Sequence, residues 1–133
     1  MEPLQSTLRS FVNSYQALMW RLRECPLNDE QLGLALGMSS NAVRNRRAKP
    51  DLWKLSDVGR LAEFFAVPPT ACRQLNHTLL NLPARLAQMS PPERRRAERL
   101  LLVKAHQLEN YNSSDWPVRY LLRMHRSLSQ YKG

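Results

Sequence analysis

Residues 28–49, NDEQLGLALGMSSNAVRNRRAK, read as two short helices joined by a tight turn, and this pair constrains the rest of the chain. Asn28 with Gln31 has the pattern of a capping box, so a helix starts there. Leu32 and Leu36 are four apart and share one helical face. Gly37 follows the last apolar position, where a left-handed residue closes a helix. Ser39 is then a good N-cap for a second helix over residues 40–48. Met38 and Val43 supply the buried contacts of that turn and helix.

The positions left outward are Ser40, Asn41, Arg44, Asn45 and Arg47, with Lys49 just beyond. Short amides, hydroxyls and guanidinium forks are the side chains that pair with base edges and grip phosphates. On these residues the stretch resembles the helix-turn-helix of the lambda-repressor/Cro-type (XRE-like) DNA-binding domains. The matching positions are Leu32, a small Gly33 where the helices cross, Gly37 in the turn, Met38, Ser39 and Val43. Downstream, residues 61–75 (LAEFFAVPPTACRQL) resemble the end of that domain, where a fourth helix runs through a loop into a fifth. The similarity spans residues 11–75. Two positions depart from the family pattern: Asp29 stands where a phosphate-contacting Gln is usual, and Arg46 where an aromatic residue is frequent.

Few glycines (four in 133 residues) and abundant Leu, Arg, Ala and Gln favour an all-α fold. The expectation is a domain of about five helices over residues 1–75 and a helical C-terminal extension over 76–133. The extension is read as a dimerisation element or an accessory basic surface. A net charge of +9 and a pI near 10.4 point to an anionic partner, nucleic acid first. Cys25 and Cys72 lack partner spacing and read as reduced thiols of a cytoplasmic protein. No apolar run approaches the roughly 20 residues of a membrane span. The N-terminus has no basic segment leading into an apolar one, so a secretory signal is not expected.

In chain order, residues 4–24 form an amphipathic helix on Leu4, Leu8, Phe11, Tyr15, Leu18 and Leu22, widened by Val12 and Met19. Its first two turns extend beyond the usual family helix, to pack on this chain's own C-terminal half or on a second copy. Trp20 falls off the stripe. Pro26 ends the helix, and Pro50 ends the second motif helix. Leu52, Leu55, Val58, Leu61, Ala62 and Phe65 then recur at helical spacing, with Trp53 and Lys54 near the start. Pro69 opens a helix over 70–82, and Pro83 kinks or interrupts it. Ser90, Pro91 and Glu93 start another helix reaching about Tyr111, with Ala97, Leu100, Leu101, Lys104, Ala105 and Leu108 inward. After a polar break over 110–114, a last helix from Asp115 places Val118, Leu121, Leu122, His125, Leu128 and Tyr131 on one side.

Residues 68–133 carry eleven cations against four acids, so most of the excess charge is C-terminal. Within the motif, Arg44, Arg46, Arg47 and Lys49 gather at one helix end, while Asp29, Glu30, Asp57 and Glu63 are expected elsewhere. Arg94, Arg95 and Arg96 form a second basic run, read first as a solvated face. His77, His106 and His125 stand singly, without metal-ligand spacing. No nucleophile elbow or phosphate-cradling glycine loop is present, so no enzyme activity, cofactor or metal is expected.

The resemblance implies a sequence-specific double-stranded DNA-binding protein, a cytoplasmic transcriptional regulator of bacterial or phage type, acting as a homodimer through its first or last helices. The implied DNA-binding residues are Ser39, Ser40, Asn41, Arg44, Asn45, Arg47, Lys49 and Lys54. Ser40, Asn41 and Arg44 face base edges; Arg47, Lys49 and Lys54 face phosphates. Neither a membrane nor a small-molecule ligand is expected. Two alternatives stay open: the fold used as a protein–protein interaction module, and a nucleic-acid-binding factor that acts through the basic C-terminal helices without reading sequence.

Overall fold

The computed structural model describes residues 2–102 and 115–130. All regular structure among these residues is helical. The elements are α1 (Glu2–Arg23), α2 (Asp29–Leu36), α3 (Ser40–Ala48), a single 3-10 turn (Pro50–Leu52), α4 (Leu55–Phe64), α5 (Thr70–Ala87), α6 (Pro91–Leu101) and α7 (Val118–Ser129).

α1 is the spine of the fold. Its stripe of Leu4, Leu8, Phe11, Val12, Tyr15, Leu18 and Leu22 is buried, and the helix packs on α4, α5 and α7. The first two turns lie against the chain's own C-terminal helix: Gln5 donates from Nε2 to the Leu128 carbonyl at 3.0 Å. Trp20 is 62 % exposed, with the Arg23 guanidinium 5.9 Å from its ring centre. At the other end, Arg21 donates to the Phe65 carbonyl at 3.1 Å and ties α1 to the close of α4.

One core runs through the described chain. Leu75, Leu79, Leu82 and Leu86 of α5 join Ala97 and Leu101 of α6 and Trp116, Val118, Leu121, Met124 and Leu128 of the C-terminal segment. α5 passes uninterrupted across position 75. The C-terminal segment is also pinned by backbone. Lys54 and Pro117 form an isolated antiparallel bridge. Around it, the Leu55 N–H reaches the Trp116 carbonyl at 3.0 Å, and the Val118 N–H reaches the Trp53 carbonyl at 2.7 Å.

Four expectations from the sequence need correction. Pro83 lies inside α5, which continues to Ala87. Proline removes one backbone donor, but the leucine stripe on both sides of it stays buried and holds the helix together. α6 ends at Leu101, because Leu102 takes the left-handed conformation at φ 63°. No glycine or proline marks that stop, so the apolar pattern alone does not reveal it; the expected positions from Lys104 to Tyr111, and Tyr131, lie outside the described residues. Leu52 belongs to the 3-10 turn rather than to α4. α7 starts at Val118, and its inward side includes Met124, with His125 only half-buried.

Among the described residues, no helix is long and apolar enough to cross a membrane.

Candidate nucleic-acid interface

The α2–α3 pair is held by the contacts its residue types call for. The Asn28 side chain accepts from the Gln31 N–H at 2.8 Å, and the Gln31 side chain accepts from the Asn28 N–H at 3.0 Å. Gly37 closes α2 at φ 71°, in the region that favours glycine. Gly33 sits where the turn folds back: a Cβ there would lie 2.6 Å from the Met38 carbonyl oxygen. Ser39 caps α3, its hydroxyl accepting from the Ala42 N–H at 3.1 Å. Val43 is fully buried and Met38 packs against the core. These contacts fix the roll of α3 and therefore which of its residues face out.

The outward set is Ser40, Asn41, Arg44, Asn45 and Ala48, with Lys49 following. Arg44 donates from Nη2 to Asn41 Oδ1 at 2.5 Å, an exposed pair one turn apart. The pair aligns an amide and a guanidinium along one edge of the helix, where both remain open to solvent. Ala48 is an addition to the set expected from sequence. It lies on the same face, and its methyl is the size that contacts a thymine methyl. The only signal for it is helical periodicity, since alanine carries no polar handle.

Arg46 and Arg47 behave differently. Arg46 turns inward: its Nε is 3.5 Å from Asp57 Oδ2, its Nη1 donates to the Ala42 carbonyl at 3.3 Å, and its guanidinium lies 6.0 Å from the Trp53 ring centre. Trp53 is fully buried beneath it. Arg47 reaches back across the pair, its Nη1 3.1 Å from Asp29 Oδ1 and its Nη2 2.9 Å from the Leu27 carbonyl. Asp29 and Asp57, expected to lie away from this helix end, therefore face it directly. The outward cations of the motif are Arg44 and Lys49, and Arg47 holds α3 to the start of α2.

Lys54 is half-buried at the head of α4, and its N–H donates to Asp57 Oδ2 at 3.2 Å. Its backbone forms the antiparallel bridge with Pro117. Arg95 and Arg96 are exposed on α6 and Arg94 is half-buried, on a different helix from the motif. His77 is exposed on α5, within 3.1 Å of Asn81 Nδ2.

The two cysteines are free. Burial pushes the Cys72 thiol up to about 11, which keeps it protonated and unreactive at neutral pH. Burial, with the Asp51 carboxylate as the smaller cause, pushes the Tyr15 hydroxyl up to about 12.

Among the described residues the regular structure is helical, and α3 is a short, capped helix with a polar outer face. No family model matches the chain, and no curated protein or solved structure matches it either.

Proposed function

We propose that this chain is a sequence-specific duplex-DNA-binding protein with a lambda-repressor-like helix-turn-helix, a transcriptional regulator that lays α3 in the major groove. The observation that carries this reading is the exposed row of Ser40, Asn41, Arg44 and Asn45 on a helix whose opposite side is locked by Val43, Gly33 and Gly37. Asn41 offers a paired contact to adenine and Arg44 one to guanine. Lys49, Lys54 and the N-terminal amides of α3 serve the phosphates. A single module of this size buries too little surface for tight specific binding, so the active form is a homodimer on a two-fold site.

The test is selection of bound duplexes from a random pool, followed by titration of Arg44→Ala on the selected site. A palindromic winner supports both the reading and the dimer. Arg44→Ala then weakens the selected site by about 1–3 kcal/mol and relaxes one base pair. Equal weakening on every sequence removes the base-reading role from Arg44. No binding to random duplex even at low salt favours the protein-interaction reading, for which Leu34, 81 % exposed on α2, offers an apolar contact.

A further inference from the structure

We propose that α7 carries a second DNA-backbone contact, an arginine–tyrosine ridge that extends the α3 surface along the phosphates; the proposal rests on the duplex-DNA reading of α3. The backbone bridge between Lys54 and Pro117 sets the start of α7 directly beside the segment that follows α3. Two residues beyond Pro117, Arg119 begins an exposed row that continues through Tyr120, Arg123 and Arg126. At about 100° per residue the three arginines fall within about 60° of one another, opposite the buried Val118, Leu121, Met124 and Leu128. The Arg119 and Arg123 guanidiniums lie 5.4 Å and 5.7 Å from the Tyr120 ring centre, on either side of it in sequence. That ring is 43 % exposed and draws two like charges close together.

Among the described residues, no carboxylate pairs with this ridge. Arg46 pairs with Asp57 and Arg47 with Asp29, and neither pair reaches α7. Beyond Glu98 the sequence has only Glu109 and Asp115 as acids. From Arg119 to Arg126 the helix rises about 10 Å, which matches about three phosphates of one strand at 3.4 Å along the duplex axis. The spacing and the charge fit the backbone of duplex DNA, with Tyr120 contributing its hydroxyl to a phosphate and keeping the two guanidiniums apart from the core. Lys49 and Lys54 lie in the segment between α3 and the bridge to Pro117.

The experiment compares the full chain, Asn41→Ala/Arg44→Ala and Arg119→Gln/Arg123→Gln/Arg126→Gln on a labelled mixed-sequence duplex and on its single strand, by anisotropy across a salt series. Circular dichroism of the triple variant verifies that the exposed changes leave the helices intact. The ridge predicts uniform weakening of the triple variant on all duplexes, with a salt slope shallower by about 0.9 for each phosphate no longer neutralised. Salt-sensitive duplex binding that survives in the Asn41/Arg44 variant and is further weakened when the three arginine changes are added to it also supports the ridge, and does so even where base reading by α3 fails. Wild-type affinity and slope in the triple variant overturn the ridge while leaving the α3 reading intact. Tighter binding to the single strand than to the duplex, abolished in Tyr120→Ala, overturns the backbone assignment in favour of base stacking. Absence of all duplex binding by the wild-type chain overturns both.

Discussion

Arg46 Nε and Asp57 Oδ2 lie 3.5 Å apart, joining the last turn of α3 to the first turn of α4 above the buried Trp53 ring. Asp57 is 6 % exposed and also accepts from the Lys54 N–H at 3.2 Å. One carboxylate thus caps α4 and fixes the angle at which α3 stands on the core. Removing it leaves a guanidinium and a backbone donor without their partner in a site with little water. Asp57→Ala is expected to lower unfolding stability by about 2–4 kcal/mol in urea denaturation. Asp57→Asn keeps an oxygen for the Lys54 N–H and removes only the charge, so its effect is smaller. If the two variants are equally destabilised, the cap on the Lys54 N–H contributes nothing and the charge pair with Arg46 alone matters.

The Arg47 contacts predict a separation between stability and binding within one helix. Arg47 is held by Asp29 and by the Leu27 carbonyl, whereas Arg44 touches only its neighbour Asn41. Arg47→Ala should destabilise the fold by about 1–2 kcal/mol by removing charge-assisted hydrogen bonds. Arg44→Ala should leave the melting temperature unchanged within error. Thermal denaturation of the two variants side by side decides this, and equal melting shifts would show that Arg47 holds nothing in place.

Local signals carry most of what is legible in the sequence. The capping box at Asn28, the N-caps at Ser39 and Ser90 and the stripe on α1 depend on residues a few positions apart, and each is present. The outward face of α3 is readable for the same reason. Long-range partners are not. Nothing near Arg46 in sequence marks Asp57 as its partner, and nothing near Arg47 reveals that Asp29 is turned toward it. Trp53 reads in sequence only as a residue near a helix start, because only the folded chain brings the Val118 N–H to its carbonyl. The Leu102 break is hidden because leucine seldom adopts a left-handed backbone, so no residue type announces it.

Two small residues make opposite predictions when exchanged. At Gly33 an added methyl would meet the Met38 carbonyl oxygen at 2.6 Å, and backbone cannot swing aside as a flexible side chain does. Gly33→Ala should cost about 1–3 kcal/mol by forcing α2 and α3 apart. Ala66 is the reverse case. It closes α4 in the left-handed region at φ 58°, where the Val67 N–H returns to the Ala62 carbonyl at 2.7 Å. A side chain is strained there, by roughly 1 kcal/mol or slightly more. Ala66→Gly should raise stability by about 1 kcal/mol, less the extra freedom glycine gives the unfolded chain. Chemical denaturation of both variants checks the pair, and a destabilised Ala66→Gly would mean that the left-handed turn carries no strain.

The pH dependence of stability follows from Cys72. Its thiol is raised from an ordinary 9.0 to about 11 because burial disfavours the thiolate. In the unfolded chain the thiol ionises first, so the unfolded state loses protons over a range where the folded state keeps them. Stability therefore falls as pH rises through this interval and levels off once the folded thiol also ionises. At about 1.4 kcal/mol per unit the loss approaches ~3 kcal/mol. Tyr15, raised from 10.0 to about 12, adds a second decline at higher pH with the same sign. Cys72→Ala should be less stable at neutral pH, because it leaves a small cavity, yet flatter over the first part of the alkaline range. Urea midpoints measured stepwise into alkali separate the two effects. An unchanged slope in Cys72→Ala would assign the alkaline loss to Tyr15 alone.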